Sequence, residues 1–398
     1  MKAGSQNPVN NYEKQWKNVD DFIKKNLPKS ALTEVKKIYT LAKKGGSTQD
    51  AQVIKSLVYI ANLQQETRED DQQAAIKEFE NEIAGSKEPA ASILKSLLAE
   101  MYWNYFQQNR WKLYDRTNTT QFKKEDITTW TTDDLHKKIA ELYLASIKDE
   151  KLLQQTNLTS FDAIIIKGNV RKLRPTLFDL LAHRALDYFK NDESDIAKPA
   201  YAFEISDPQV FAPTAAFIKH KFLTTDSTSL HHKALLIFQQ LLSLHLNSKN
   251  SEALIDADIE RIEFARQYSV SPQKEEFYFN ALTNMTTAYK DVAAVDQVWY
   301  LLADYHENLA AQYEPYGDTT KRYERTVAKQ ICERVIKSNA SFTTEGSVNC
   351  YNLLQQINQQ NLVFTIEKVN IPNQPFRSLV SYKNIDKLFF ASSRQTKN

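Results

Sequence analysis

The side chains that could do chemistry in this sequence are seven histidines and 49 acidic residues, and their spacing limits what they can do. His231 and His232 are neighbours and point to different sides of a helix, so they do not readily share a metal ion. His245 lies on the apolar stripe of the same helix, too far along to join them. His306 falls within the stripe Val295, Val298, Trp299, Leu302 and Leu309, where a histidine is expected to be a hydrogen-bonded core residue. There is no HExxH pattern. The run "DADIE", 256–260, carries three carboxylates. Asp256 and Glu260 are one turn apart on what reads as a solvated face, without the histidine partner or loop geometry of a metal site.

Paired carboxylates on an α/α barrel could cleave glycosides, and "REDDQQ" and "KNDESD" supply the acids. Such clusters at helix starts and in loops ordinarily cap helices or solvate turns. No serine or cysteine occupies a GxSxG-type nucleophile motif. The expectation is a protein that is not an enzyme, with no catalytic, cofactor-binding or metal-binding residues and no cofactor.

The stretch "MYWNYFQQNRWKLYDRT" interleaves aromatics with arginine. Tyr102, Trp103, Arg110, Trp111 and Tyr114 are its interaction candidates, because rigid aromatics and arginine dominate binding hot spots and can stack on sugars. The competing reading buries Trp103 and Phe106 and uses the later aromatics to pin an irregular segment spanning 110–130. Cys332 and Cys350 fall on consecutive predicted helices joined by a short loop. They are either two buried thiols or a disulfide, which would stabilise by about 3 kcal/mol for a loop of that size. Two thiols alone are too few for a structural zinc site.

Positioning these residues falls to helices. Glycine occurs seven times in 398 residues, which suits long helices and leaves no GxGxxG or GxxxxGK[ST] loop. "LPKSALTEVKKIYTLAKKGG" has Pro28 in a first turn and Gly45-Gly46 as a stop. "DAQVIKSLVYIANLQQE" is apolar on two faces, as expected of a helix between neighbours. The periodicity predicts about a dozen helices in antiparallel pairs. The expected fold class is all-α, a superhelical array of stacked helix pairs, repeat-like and TPR-like without meeting the tetratricopeptide consensus. A long proline-bearing connection at 191–212 suggests a seam, so the expected division is 1–195, 196–360 and a β segment over 361–398. In that segment "LVFTIEKV", "RSLVSYKNI" and "KLFFAS" read as strands, too few for a stable sheet domain alone.

Net charge is +2, with 51 basic and 49 acidic side chains, which argues against a nucleic-acid binder. No apolar run is long enough to span a membrane. The N-terminus has no signal-peptide h-region, which fits either a cytoplasmic start or a mature exported chain.

The tail "TIEKVNIPNQPFRSLVSYKNIDKLFF" resembles the opening of the first macroglobulin-type β-domain of large bacterial alpha-2-macroglobulin-like proteins. The helical part resembles the region before that domain, through "YEKQWKNVDDFIKKNLPKSALTEVKKIY", "LLAEMYWNYFQQNRWKLYDRT" and "NCYNLLQQI". The resemblance implies the N-terminal structural and interaction module of a protease-trapping protein exported to the bacterial envelope or periplasm. Its implied partners are the downstream macroglobulin-type β-domains of the same chain, and an envelope protein or target protease through the whole molecule. Neither "ICERV" nor "NCYNL" has the surroundings of a thioester cysteine, so no functional residue of the family is carried over. The alternative is a free-standing helical repeat-like envelope protein that binds peptides or glycans.

Overall fold

The computed structural model describes residues 8–67, 72–114, 126–168, 170–193, 201–314, 316–339, 341–367, 371, 374–375 and 377–389. Among the described residues there are fifteen α-helices and one two-stranded sheet, a predominantly helical protein. The chain divides into two compact units, Met1–Ser271 and Pro272–Asn398.

The first unit begins with α1 (Pro8–Lys24), α2 (Pro28–Lys44) and α3 (Asp50–Thr67), each packed on the next. Pro28 occupies the first turn of α2, where its missing N–H costs nothing. Gly46 follows the helix with φ 67°, a left-handed conformation that glycine adopts without strain. Val19, Ala31, Val35, Ile38, Val53 and Ile60 fill the core of these three helices. Then come α4 (Gln72–Gly85), α5 (Ala90–Tyr114), α6 (Thr132–Ser146), α7 (Glu150–Gln155) and α8 (Leu177–Phe189). Thr131 and Asp134 form a reciprocal cap at the start of α6, as Thr176 and Asp179 do at α8. α5 runs to Tyr114, further than the irregular stretch expected from residue 110 allowed. After α9 (Thr214–Phe217), the pair α10 (Leu230–Ser248) and α11 (Ser251–Tyr268) completes the unit.

The long connection predicted at 191–212 therefore lies inside the first unit. Over its described part it is ordered by packing on α11. Pro208 opens a 3-10 turn through Phe211, Pro213 precedes α9, and Val270 N–H donates to Ile205 O at 3.0 Å.

The second unit holds α12 (Lys274–Ala288), α13 (Val295–Ala310), α14 (Glu324–Ser338) and α15 (Glu345–Asn358), with α13, α14 and α15 in mutual contact. Strands β1 (Asn361–Ile366) and β2 (Ser378–Lys383) follow as an antiparallel pair, with Asn361 opposite Lys383 and Ile366 opposite Ser378. The third expected strand does not form over 387–389, and the rest of "KLFFAS" lies outside the described residues.

Candidate functional site

α5 and α8 place the interaction candidates. Tyr102 is buried, stacks on Trp130 with centroids 5.5 Å apart, and donates its hydroxyl to Glu80 Oε1 at 3.1 Å. Burial first, and then the Glu80 charge, push its phenol above the ordinary range. Trp103 packs among Phe106, His136 and Tyr188. His136 Nδ1 lies 2.8 Å from the Tyr188 hydroxyl, so the cluster has a polar tie at its centre. Arg110 pairs with Glu193 and donates to Gln107 Oε1 at 2.9 Å. Trp111 is 82 % exposed. The Tyr114 side chain lies outside the described residues. Tyr102 and Trp103 thus hold α5 to its neighbours, and among the candidates whose side chains are described Trp111 is the one that faces solvent broadly.

The acidic run on α11 is not the solvated face expected from its spacing. Asp258 is 1 % exposed and accepts from Arg261 Nε at 2.7 Å and from the Thr214 hydroxyl at 2.7 Å. Arg261, equally buried, also donates to the Val210 carbonyl and lies over the Phe217 ring. The 205–217 stretch folds over this face and brings those partners, which periodicity within α11 cannot reveal. Glu260 takes Lys190 Nζ at 2.6 Å and faces His183 Nε2 at 3.3 Å.

The histidines singled out above pack against or bond to protein groups. His245 Nε2 sits 2.9 Å from Asp179 Oδ1, both within the core. Burial alone would raise the Asp179 carboxyl, but the bonds from His245 and Thr176 outweigh it and hold it below the usual range. His231 packs on Phe264 and Tyr268, and His232 Nε2 reaches the Phe222 carbonyl at 2.8 Å. His306 sits at the margin of its stripe rather than in the core: its Nδ1 is 2.5 Å from Glu324 Oε2, with 17 % of its side chain exposed. Among the described residues no group of three or more histidine, cysteine, aspartate or glutamate side chains is placed to hold a metal ion. No helix among them is long and apolar enough to cross a membrane.

Cys332 on α14 and Cys350 on α15 are buried free thiols facing each other across the predicted hairpin. The hydrogen bond between the two thiols pulls Cys332 below the ordinary thiol value and pushes Cys350 above it, with burial adding to the rise at Cys350.

The β-hairpin exposes apolar side chains on both of its faces. Opposite residues of an antiparallel pair share a face. The register therefore puts Leu362, Phe364 and Ile366 of β1 on one side with Tyr382 and Val380 of β2. Phe364 is 47 % exposed and Tyr382 61 %. The hairpin is tied down at its base: Asn384 Nδ2 donates to the Ile357 carbonyl at 2.7 Å and Lys383 Nζ to the Gln356 carbonyl at 3.1 Å. Both bonds go to carbonyls of the last turn of α15, where helical donors run out, and the Gln356 carbonyl also takes the Gln359 N–H at 3.4 Å. Sequence reasoning found the strands by their alternation but not that both faces stay exposed, Val363 and Leu379 lying on the face opposite to Phe364 and Tyr382.

Compared with protein-family models, curated proteins and solved structures, the chain matches none.

Proposed function

We propose that the chain is a non-enzymatic structural and interaction module of a bacterial alpha-2-macroglobulin-like envelope protein, whose helices hold the β1–β2 hairpin ready to join a larger sheet. The observation that carries this is the set of exposed apolar side chains on both faces of the hairpin. A two-stranded sheet is marginal in water by itself, and fully covering each large apolar side chain is worth about 1.5–3 kcal/mol. Leu362, Phe364, Ile366 and Tyr382 on one face, with Val363 and Leu379 on the other and the hairpin anchored to α15 at one end, suit a sheet completed by further strands or a second layer. The non-enzymatic part is supported by how the acid and base groups are used. Asp179–His245 and His183–Glu260 tie α8 to α10 and α11, and Asp258 pairs with Arg261 within α11 while accepting from Thr214 of α9. Export to the envelope, and protease trapping by the whole molecule, follow from the resemblance in the tail and in the three helical phrases.

The test is the native reading frame together with hydrogen exchange. The proposal expects the frame to run on past Asn398 into sequence of period two. It also expects the amides of β1 and β2 to exchange rapidly in this chain and to become protected when that continuation is present. A stop codon at that point, or equal protection in both chains, refutes it.

A further inference from the structure

The second apolar face of α3 leaves a groove that the docking role does not use. Val58 and Ala61 of α3 face Leu97 and Met101 of α5 across a cavity of about 300 Å³, with Ile76 and Phe79 of α4 also lining it. That volume is at the small end for ligand sites. Exposed side-chain amides also line it, Asn62 and Gln65 from α3 and Asn104 and Gln108 from α5. Each amide carries a donor and an acceptor and can meet both polar groups of a peptide unit.

Spacing selects the ligand. Glu100, Asn104 and Gln108 follow one another on α5 at four-residue intervals, which at 1.5 Å per residue places them about 6 Å apart along the helix. An extended chain repeats every two residues, about 6.6 Å. A strand lying along α5 would present alternate peptide units to successive polar side chains while its alternate side chains enter the apolar lining. Charge narrows the choice further. Glu100 is the charged residue of the lining, and Arg184 Nη2 already neutralises it at 2.8 Å. The groove therefore suits a stretch without net charge.

We propose that the groove between α3 and α5 binds an extended, uncharged peptide segment, gripped through its backbone by Asn62, Gln65, Asn104 and Gln108. This site is separate from the hairpin, and either reading can fail without the other.

The experiment pans a phage-displayed library of random twelve-residue peptides on the whole chain and on an Asn62→Ala/Asn104→Ala variant. Both positions are exposed, so the variant should melt with wild type, which circular dichroism checks. Peptides enriched on wild type should bind the variant about tenfold or more weakly, about two hydrogen bonds' worth. N-methylation of alternate peptide nitrogens should abolish binding. An Ala61→Arg change, which fills the groove with a charge, should block the same peptides. No enrichment on wild type, equal enrichment on the variant, or tolerance of N-methylation overturns the proposal.

Discussion

Changing Gly346 to alanine tests how closely α15 approaches α13. Gly346 lies in the first turn of α15, and a Cβ there would overlap the backbone carbon of Asp296 and the backbone nitrogen of Gln297 on α13. Backbone cannot rotate aside as a side chain can, so the helices must separate. Overpacking of this kind costs about 1–3 kcal/mol. Separation also strains the bond from the Thr344 hydroxyl to Asp296 Oδ2, 2.7 Å in length, a bond to a charged acceptor worth about 1.5 kcal/mol or more. Alanine's better helix propensity returns at most about 1 kcal/mol. The net loss is about 2–3 kcal/mol, or roughly 30- to 150-fold in an opening equilibrium. Hydrogen exchange read by mass spectrometry should show that drop in peptides from α13 and α15, with α10 and α11 unchanged. Gly85→Ala is the control: nothing lies within 4 Å of a Cβ at that position, and stability should rise slightly or stay level. Unchanged protection in α13 and α15 of Gly346→Ala would refute the close approach.

Two further outcomes follow from the buried charges of the first unit. Asp258→Ala leaves Arg261 buried without its carboxylate and should cost about 3–5 kcal/mol, lowering the thermal midpoint by about 10 °C. Asp258→Ala/Arg261→Met should recover most of that loss, and a single variant that melts with wild type would show the pair is not desolvated. The second outcome concerns His183, whose imidazole burial holds below its usual value; Glu260 and Asp256 oppose that shift and Arg174 adds to it. A histidine with a depressed folded pKa stabilises fully above its unfolded value of about 6.5 and loses that contribution as pH falls toward the folded value. Urea midpoints of wild type should therefore fall between pH 7 and pH 5 more steeply than those of His183→Gln, and parallel curves would count against it.

The legible features were local ones. Pro28 and Gly46 bracket α2's ends as their backbone preferences require. The alternation after residue 361 gave two strands, because period two survives in any window that contains it. "DADIE" was misread because the groups that bury Asp258 and Arg261 come from Thr214 and Val210, more than forty residues upstream. The short apolar run "DAIIIKG", 162–168, forms neither strand nor helix: Lys167 and Arg171 close a turn onto Asp162, and Ile166 is left in solvent.

Helix content, the order of the elements and the final change to strands were written in the sequence, since propensity, capping and periodicity act between residues a few positions apart. Which helical faces stayed open was settled only by tertiary packing. The groove beside Asn62 and Asn104, the buried Asp258–Arg261 pair and the exposed faces of the hairpin each depend on what a distant segment covers. An apolar or polar stripe has the same pattern whether or not a neighbour lies against it, because burial is a property of the surroundings and not of the residue.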